Sequence, residues 1–358
     1  MNYTPGSILS RFHSPLLLGM GGGYDLFAGL PTYFDFLEEG KNPIFANLSF
    51  TRELAKKCSF SIDEPYTFFK VLAAEFQNDA FDETLGFPAN YFPEYHLSNW
   101  FRKKHDISLP IYAIQLIDDL KTSGPLGVQN YFEAIDAIVR TCGCDAIILV
   151  DAGVDSLVIG DEEGLGTYAE DFLTLLASIK SDLPVYLQCI GLGTEAGIAI
   201  DDFLVNLSIH RKNDAYLGCF DWMKSDFGVS LYLDAVASCI PENSSIHSLL
   251  SAAIAGKYGA ICPTPLKKRG LDDGEVLIHP MMTLAFWFDA RRIMSGRMFV
   301  DECSAALSLR DLDLRFDEAR RRIGLIDSEG VYRGKRPFSR SLDSILLDRF
   351  TRGVYELD

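Results

Sequence analysis

Short aliphatic runs alternate along this chain with longer stretches of helical period, and that alternation constrains the fold more than any other feature. Leu16 to Gly19, Ile44 to Leu48, "LPIYAIQL", "DAIILVD" and "LPVYLQCIG" each supply a compact apolar run. Strands separated by helices pair in parallel, because a parallel connection needs a crossover long enough to hold a helix. Ile147 to Val150 is apolar at successive positions, as a central parallel strand buried on both faces requires. The sequence therefore predicts an α/β protein with a Rossmann-like, doubly wound, mostly parallel sheet and helices on both faces.

Within that frame, "SPLLLGMGGGYDLFAGLPTYFDFLEEGKNPIFANLSF" reads as strand, glycine turn, helix and second strand. The helix spans Leu26 to Glu39, tolerates Pro31 near its start and stops at Gly40. Residues 51–105 read as an irregular cover over the ligand end of the sheet or at a homo-oligomer interface, with "EPYTFFKVLAAEFQ" as a helix and another from about Pro93. Helices follow at Leu126 to Cys142 and Thr167 to Lys180, then within "GLGTEAGIAIDDFLVNLSIHRK" and near 227–239 and 245–258. Strands are expected in "AYLGCFDW" and "GAICPTPL". "HPMMTLAFWFDARRIMSG" reads as a buried helix with an arginine-rich exit. With no internal repeat or long linker, residues 1–358 are read as one α/β domain with a C-terminal elaboration over 280–358.

The chain has 358 residues, 48% of them hydrophobic, enough for a large core. Fifty acidic against thirty-three basic residues give a formal charge of -17, which argues against nucleic acid or an anionic bilayer as partner. No apolar stretch approaches the roughly 18 residues of a membrane span. Eight cysteines lie mostly inside apolar runs and no secretory leader is read before them, so the expectation is a cytoplasmic protein with free thiols. Cys142 and Cys144 are separated by one residue, which is not a zinc spacing.

Three loops carry candidate chemistry. In "LLLGMGGGYD", Gly21, Gly22 and Gly23 allow backbone amides to approach an anion, and Asp25 can cap the next helix or support a cation. This is neither a Walker motif nor a dinucleotide fingerprint. The second loop follows the central strand as "GVDSLVIGDEEGLGTYAED". Asp151, Asp155 and Asp161 could gather a hard cation such as magnesium, and Asp155, Asp161 and Glu162 are the candidates for acid–base work. Ser156, Gly164, Gly166 and Thr167 are read as ligand contacts. If Thr167 caps the following helix, Glu170 falls at the capping-box position and has a structural role. The third loop, "CIGLGTEAG", offers Gly191, Gly193, Thr194 and Glu195 as further ligand-binding residues. Neighbouring parallel strands deliver such loops to one edge of a sheet.

The ordered set "LLLGMGGGYD", "NYFPEYHLSNWF", "GVDSLVIGDEEGLGTYAED" and "GLGTE" resembles a bacterial and archaeal family of uncharacterised proteins that share a domain of unknown function. The resemblance spans roughly residues 14 to 300, with Ala152 in place of an expected glycine and Tyr168 in place of a small residue or proline. It places the family's characteristic positions on Gly21, Gly22, Gly23 and Asp25, and on Asp151, Asp155, Ser156, Gly160, Asp161 and Glu162. Gly164, Gly166, Thr167, Glu170 and Asp171 complete them. The leading expectation is an intracellular enzyme acting on a small polar or phosphorylated metabolite with magnesium assistance. The alternatives are a non-enzymatic nucleotide or metabolite sensor and a structural interaction protein.

Overall fold

The computed structural model describes residues 5–50, 68–73, 91–115, 127–195, 197–240, 244–261 and 276–334. Ten strands occur among them: β1 Pro15–Gly19, β2 Ile44–Leu48, β3 Phe68–Val71, β4 Ile111–Ile114, β5 Ala146–Ala152, β6 Val185–Ile190, β7 Tyr216–Asp221, β8 Gly259–Ile261, β9 Val276–Ile278 and β10 Leu284–Asp289. The helices are α1 Pro5–Arg11, α2 Leu30–Glu38, α3 Pro93–His105, α4 Gly127–Cys142, α5 Tyr168–Ile179 and α6 Ile200–Lys212. They continue with α7 Phe227–Cys239, α8 Ser245–Ile254, α9 Ala290–Gly296, α10 Val300–Ser304 and α11 Leu309–Arg322.

Eight strands form one sheet in the order β3-β4-β2-β1-β5-β6-β10-β7, and β8 pairs with β9 apart from it. Strands β4, β2, β1, β5 and β6 run parallel, whereas β3 and β10 run against their neighbours. Every residue of β5 is buried, as the unbroken run Ile147–Val150 demands of a strand covered on both faces. One face buries Leu16, Leu18, Ile147 and Leu149 beneath α4, α5 and α9. The other buries Leu17, Phe45, Ile148 and Val150 with aromatic side chains of α2, α3 and α7. This three-layer arrangement is the Rossmann-like, doubly wound fold that the alternation predicts.

Two elements differ from their sequence reading. Within "HPMMTLAFWFDARRIMSG", Leu284–Asp289 is a strand, flanked by a 3-10 turn at Pro280–Thr283 and an α-helix at Ala290–Gly296. A short apolar run is ambiguous between helix and buried strand. Here the aromatic Phe286, Trp287 and Phe288 fill both sheet faces, and Asp289 accepts from the Arg292 amide to start the helix. Residues 280–289 thus belong partly to the central sheet. Similarly, Phe68–Val71 inside "EPYTFFKVLAAEFQ" pairs antiparallel with β4 at the sheet edge. Residues 64–67 and 74–77 of that peptide, most of 51–90 and "PLKKRG" lie outside the described residues.

Candidate active site

The connection leaving β1 runs to β2 on one side and the connection leaving β5 runs to β6 on the other. The carboxyl ends of β1 and β5 therefore flank a topological switch point, where an open α/β sheet leaves a crevice. A cleft of about 410 Å3 opens there. Gly21, Gly22, Gly23 and Asp25 line it from the first loop, Asp151, Asp155, Thr167 and Glu170 from the second, and Glu195 from the third.

The first loop stays attached to β5 for one residue, through Met20 N–H to Val150 O at 2.9 Å, and then turns. Gly22 has φ +87°, and a Cβ there would stand 2.4 Å from the Leu48 carbonyl oxygen, so conformation and space both require glycine. The Asn47 amide donates to Gly23 O at 2.8 Å and to Glu94 Oε1 at 2.7 Å, which pins the turn from below. Burial pushes Glu94 up to about 7, against the lowering effect of its bonds from Asn47 and Ser49.

In the second loop, Asp155 accepts from Thr167 N at 2.8 Å and Thr167 Oγ1 at 2.9 Å. Thr167 precedes α5, but its side chain makes no bond to the helix amides. The expected capping box is absent: the Thr167 side chain is turned to Asp155, and Glu170 lines the cleft. The Ser156 hydroxyl donates to Asp151, and buried Arg297 donates to the Ser156 carbonyl. In the third loop, Thr194 folds back on Gly191 O through both its amide and hydroxyl, at 2.9 and 2.6 Å. That turn aims Glu195 at the second loop, where its Oε2 accepts from Val154 N at 2.7 Å and Asp155 N at 3.0 Å.

The result is a group of crowded carboxyls. Among the described residues, no Lys or Arg lines the cleft. Burial first, then the charges of Asp155 and Asp151, hold Glu195 well above the ordinary carboxylate range, and a hydrogen bond with Asp155 adds to the shift. Burial and neighbouring aspartates likewise raise Asp25, Asp151 and Asp171. Arg297 opposes the shift at Asp151 and Asp171 without offsetting it. Like charges forced together in a low-dielectric site retain protons or attract a cation. Among the described residues, no three His, Cys, Asp or Glu side chains are arranged to hold a metal ion by themselves.

Other sequence candidates lie away from the cleft lining. Glu162 is fully buried and accepts from Ile159 N and Gly160 N, both at 2.7 Å, and from Asn206 at 2.8 Å. The Asp161 carbonyl accepts from the Tyr332 hydroxyl. Gly164 packs against the Gly197 carbonyl and Gly193 against His279. Conversely, the lining includes Tyr24, Tyr91, Ser244, Ser245 and His247, which the sequence reading did not single out. Ser244 accepts from His247 N at 3.4 Å at the start of α8. The His247 ring is wedged between Tyr24 O at 3.1 Å and Tyr232 Oη at 2.7 Å. Burial lowers His247 to about 4, so the neutral ring donates from Nε2 to the carbonyl and accepts at Nδ1. It acts as a clamp on the residue after the glycine turn.

A family model described as Protein of unknown function (DUF1152) matches residues 120–320. No curated protein and no solved structure shows significant similarity to the chain.

Proposed function

The chain belongs to this family, whose matched segment carries β5, β6 and the carboxyls that follow them, and we propose that it is an enzyme acting on a small polar or phosphorylated metabolite in the switch-point cleft. The observation that carries this reading is the meeting of Asp25, Asp151, Asp155 and Glu195 on three loops, with no Lys or Arg in the lining among the described residues. A phosphate entering this field needs a cation between itself and the carboxylates. Magnesium suits that role, because it commonly takes one or two carboxylates and completes its shell with water and substrate phosphate oxygens. A complete cage of protein ligands is therefore not required. Asp25 and Asp151 would hold the ion, which would neutralise phosphate charge and polarise its oxygens.

The Asp155–Glu195 pair supplies acid–base capacity. Burial and the charges of Asp155 and Asp151 favour the protonated form of Glu195. It can donate to a leaving oxygen while Asp155, oriented by Thr167, receives a proton from substrate or water. The test is incubation of the full chain with a cellular metabolite extract, with and without magnesium, followed by mass analysis of the small molecules. Metal-dependent product formation should disappear in folded Asp155→Asn and persist in Asp161→Asn. Full turnover in folded Asp155→Asn removes this assignment, and saturable retention of a metabolite without conversion redirects it to a sensor.

A further inference from the structure

A second cleft, of about 370 Å3, opens on one face of the sheet beside α2, the start of α7 and strands β7 and β10. It shares no lining residue with the switch-point cleft. Asp35, Glu38, Asp221 and Asp226 line it, and among the described residues no Lys, Arg or His does. Aromatic rings line it too: Trp222 and Trp287 are buried, whereas Phe220 and Phe227 are 40% and 55% exposed. Aromatic faces and carboxylates are unlike surfaces that share one ligand preference, an organic cation.

A second observation is independent of charge. Trp287 is 1% exposed, and its indole Nε1 has no hydrogen-bond partner among the described residues. A buried indole N–H ordinarily finds an acceptor. The neighbouring polar groups are engaged with one another: Thr32 donates to Gln188 Oε1, and Gln188 Nε2 donates to Ala28 O at 3.0 Å. Trp287 is therefore a lining donor still in want of an oxygen.

We propose that this second cleft binds a small organic ammonium ion bearing an oxygen acceptor, with the charge set among the acidic and aromatic side chains and the oxygen taking the Trp287 N–H. A bare metal ion would use neither the rings nor the indole. An anionic ligand would meet four carboxylates. A volume of this order suits a small metabolite. Burial and the nearby Glu38, Asp226 and Glu39 charges push Asp35 up to about 6, a shift that an incoming cation would relieve.

The probe is choline, followed through the indole N–H resonances of the full chain, with Trp287→Phe identifying the relevant signal. Choline should move the Trp287 resonance saturably, and tetramethylammonium, which lacks the hydroxyl, should bind more weakly and move it less. Losing the indole donor in Trp287→Phe should weaken choline binding by roughly fivefold, the effect of one hydrogen bond. Asp35→Asn combined with Glu38→Gln, which leaves Trp287 intact, should weaken both ammonium probes by about tenfold or more. Folded Asp155→Asn should bind choline unchanged. The proposal is overturned if choline gives no saturable shift of Trp287, if the Asp35/Glu38 variant binds it as the parent does, or if Asp155→Asn abolishes binding.

Discussion

Glu162 shows how one acidic tract distributes its work. Asp155 and Glu162 lie seven positions apart and look equally suited to chemistry in the sequence. In the fold, Asp155 lines the cleft, whereas Glu162 ties Ile159, Gly160 and Asn206 together in the interior. No spacing rule separates them, because the distinction depends on where the chain bends between the two. Glu162→Gln puts an NH2 group where a carboxylate oxygen now receives an N–H. The expected cost is about 2–3 kcal/mol, the scale of leaving buried polar groups unmatched. Urea unfolding measures it. A loss under 0.5 kcal/mol, roughly that of an ordinary surface change, would show that Glu162 is not the tie inferred from its contacts.

At the level of elements, the parallel strands were legible because β1, β2, β5 and β6 are apolar runs separated by glycine turns and amphipathic helices. The convergence of their loops followed from parallel pairing, but the arrival of Ser244, Ser245 and His247 did not. Which helix start reaches the cleft depends on three-dimensional packing from distant sequence. The same limit concealed β10, whose six-residue aromatic run only acquires strand character between β6 and β7. The glycine turn after β1 is a sharper test of local necessity. Gly22→Ala imposes a side chain at φ +87° and 2.4 Å from a backbone oxygen. A destabilisation of at least about 2 kcal/mol is expected, together with weaker ligand binding in the switch-point cleft. Chemical unfolding with unchanged stability would reject this account of the turn.

Across the whole molecule, buried carboxyls set an unusual response to pH. Asp25, Asp151, Asp171 and Glu195 are raised by burial and mutual repulsion, and Glu94 reaches about 7. Between the ordinary carboxylate value of about 4 and each raised value, the native state binds more protons than the unfolded chain, so stability falls as pH rises. His210 and His247 act in the opposite sense: both are lowered to about 4, and their contribution is lost as pH falls below about 6.5. From pH 8 down to 6.5, proton uptake by Glu94 dominates. Calorimetry should show the melting temperature rising by roughly 1 °C over that interval. A flat or reversed trend would contradict this protonation balance. The insertion of β10 between β6 and β7 also has a consequence in time. During synthesis, β7 emerges before the strand that must separate it from β6, so the sheet cannot close in chain order. Until residues 284–289 leave the ribosome, β6 presents an unpaired edge and β7 has no berth. Assembly of that half of the protein is consequently postponed, leaving a nascent intermediate open to mispairing and chaperone capture.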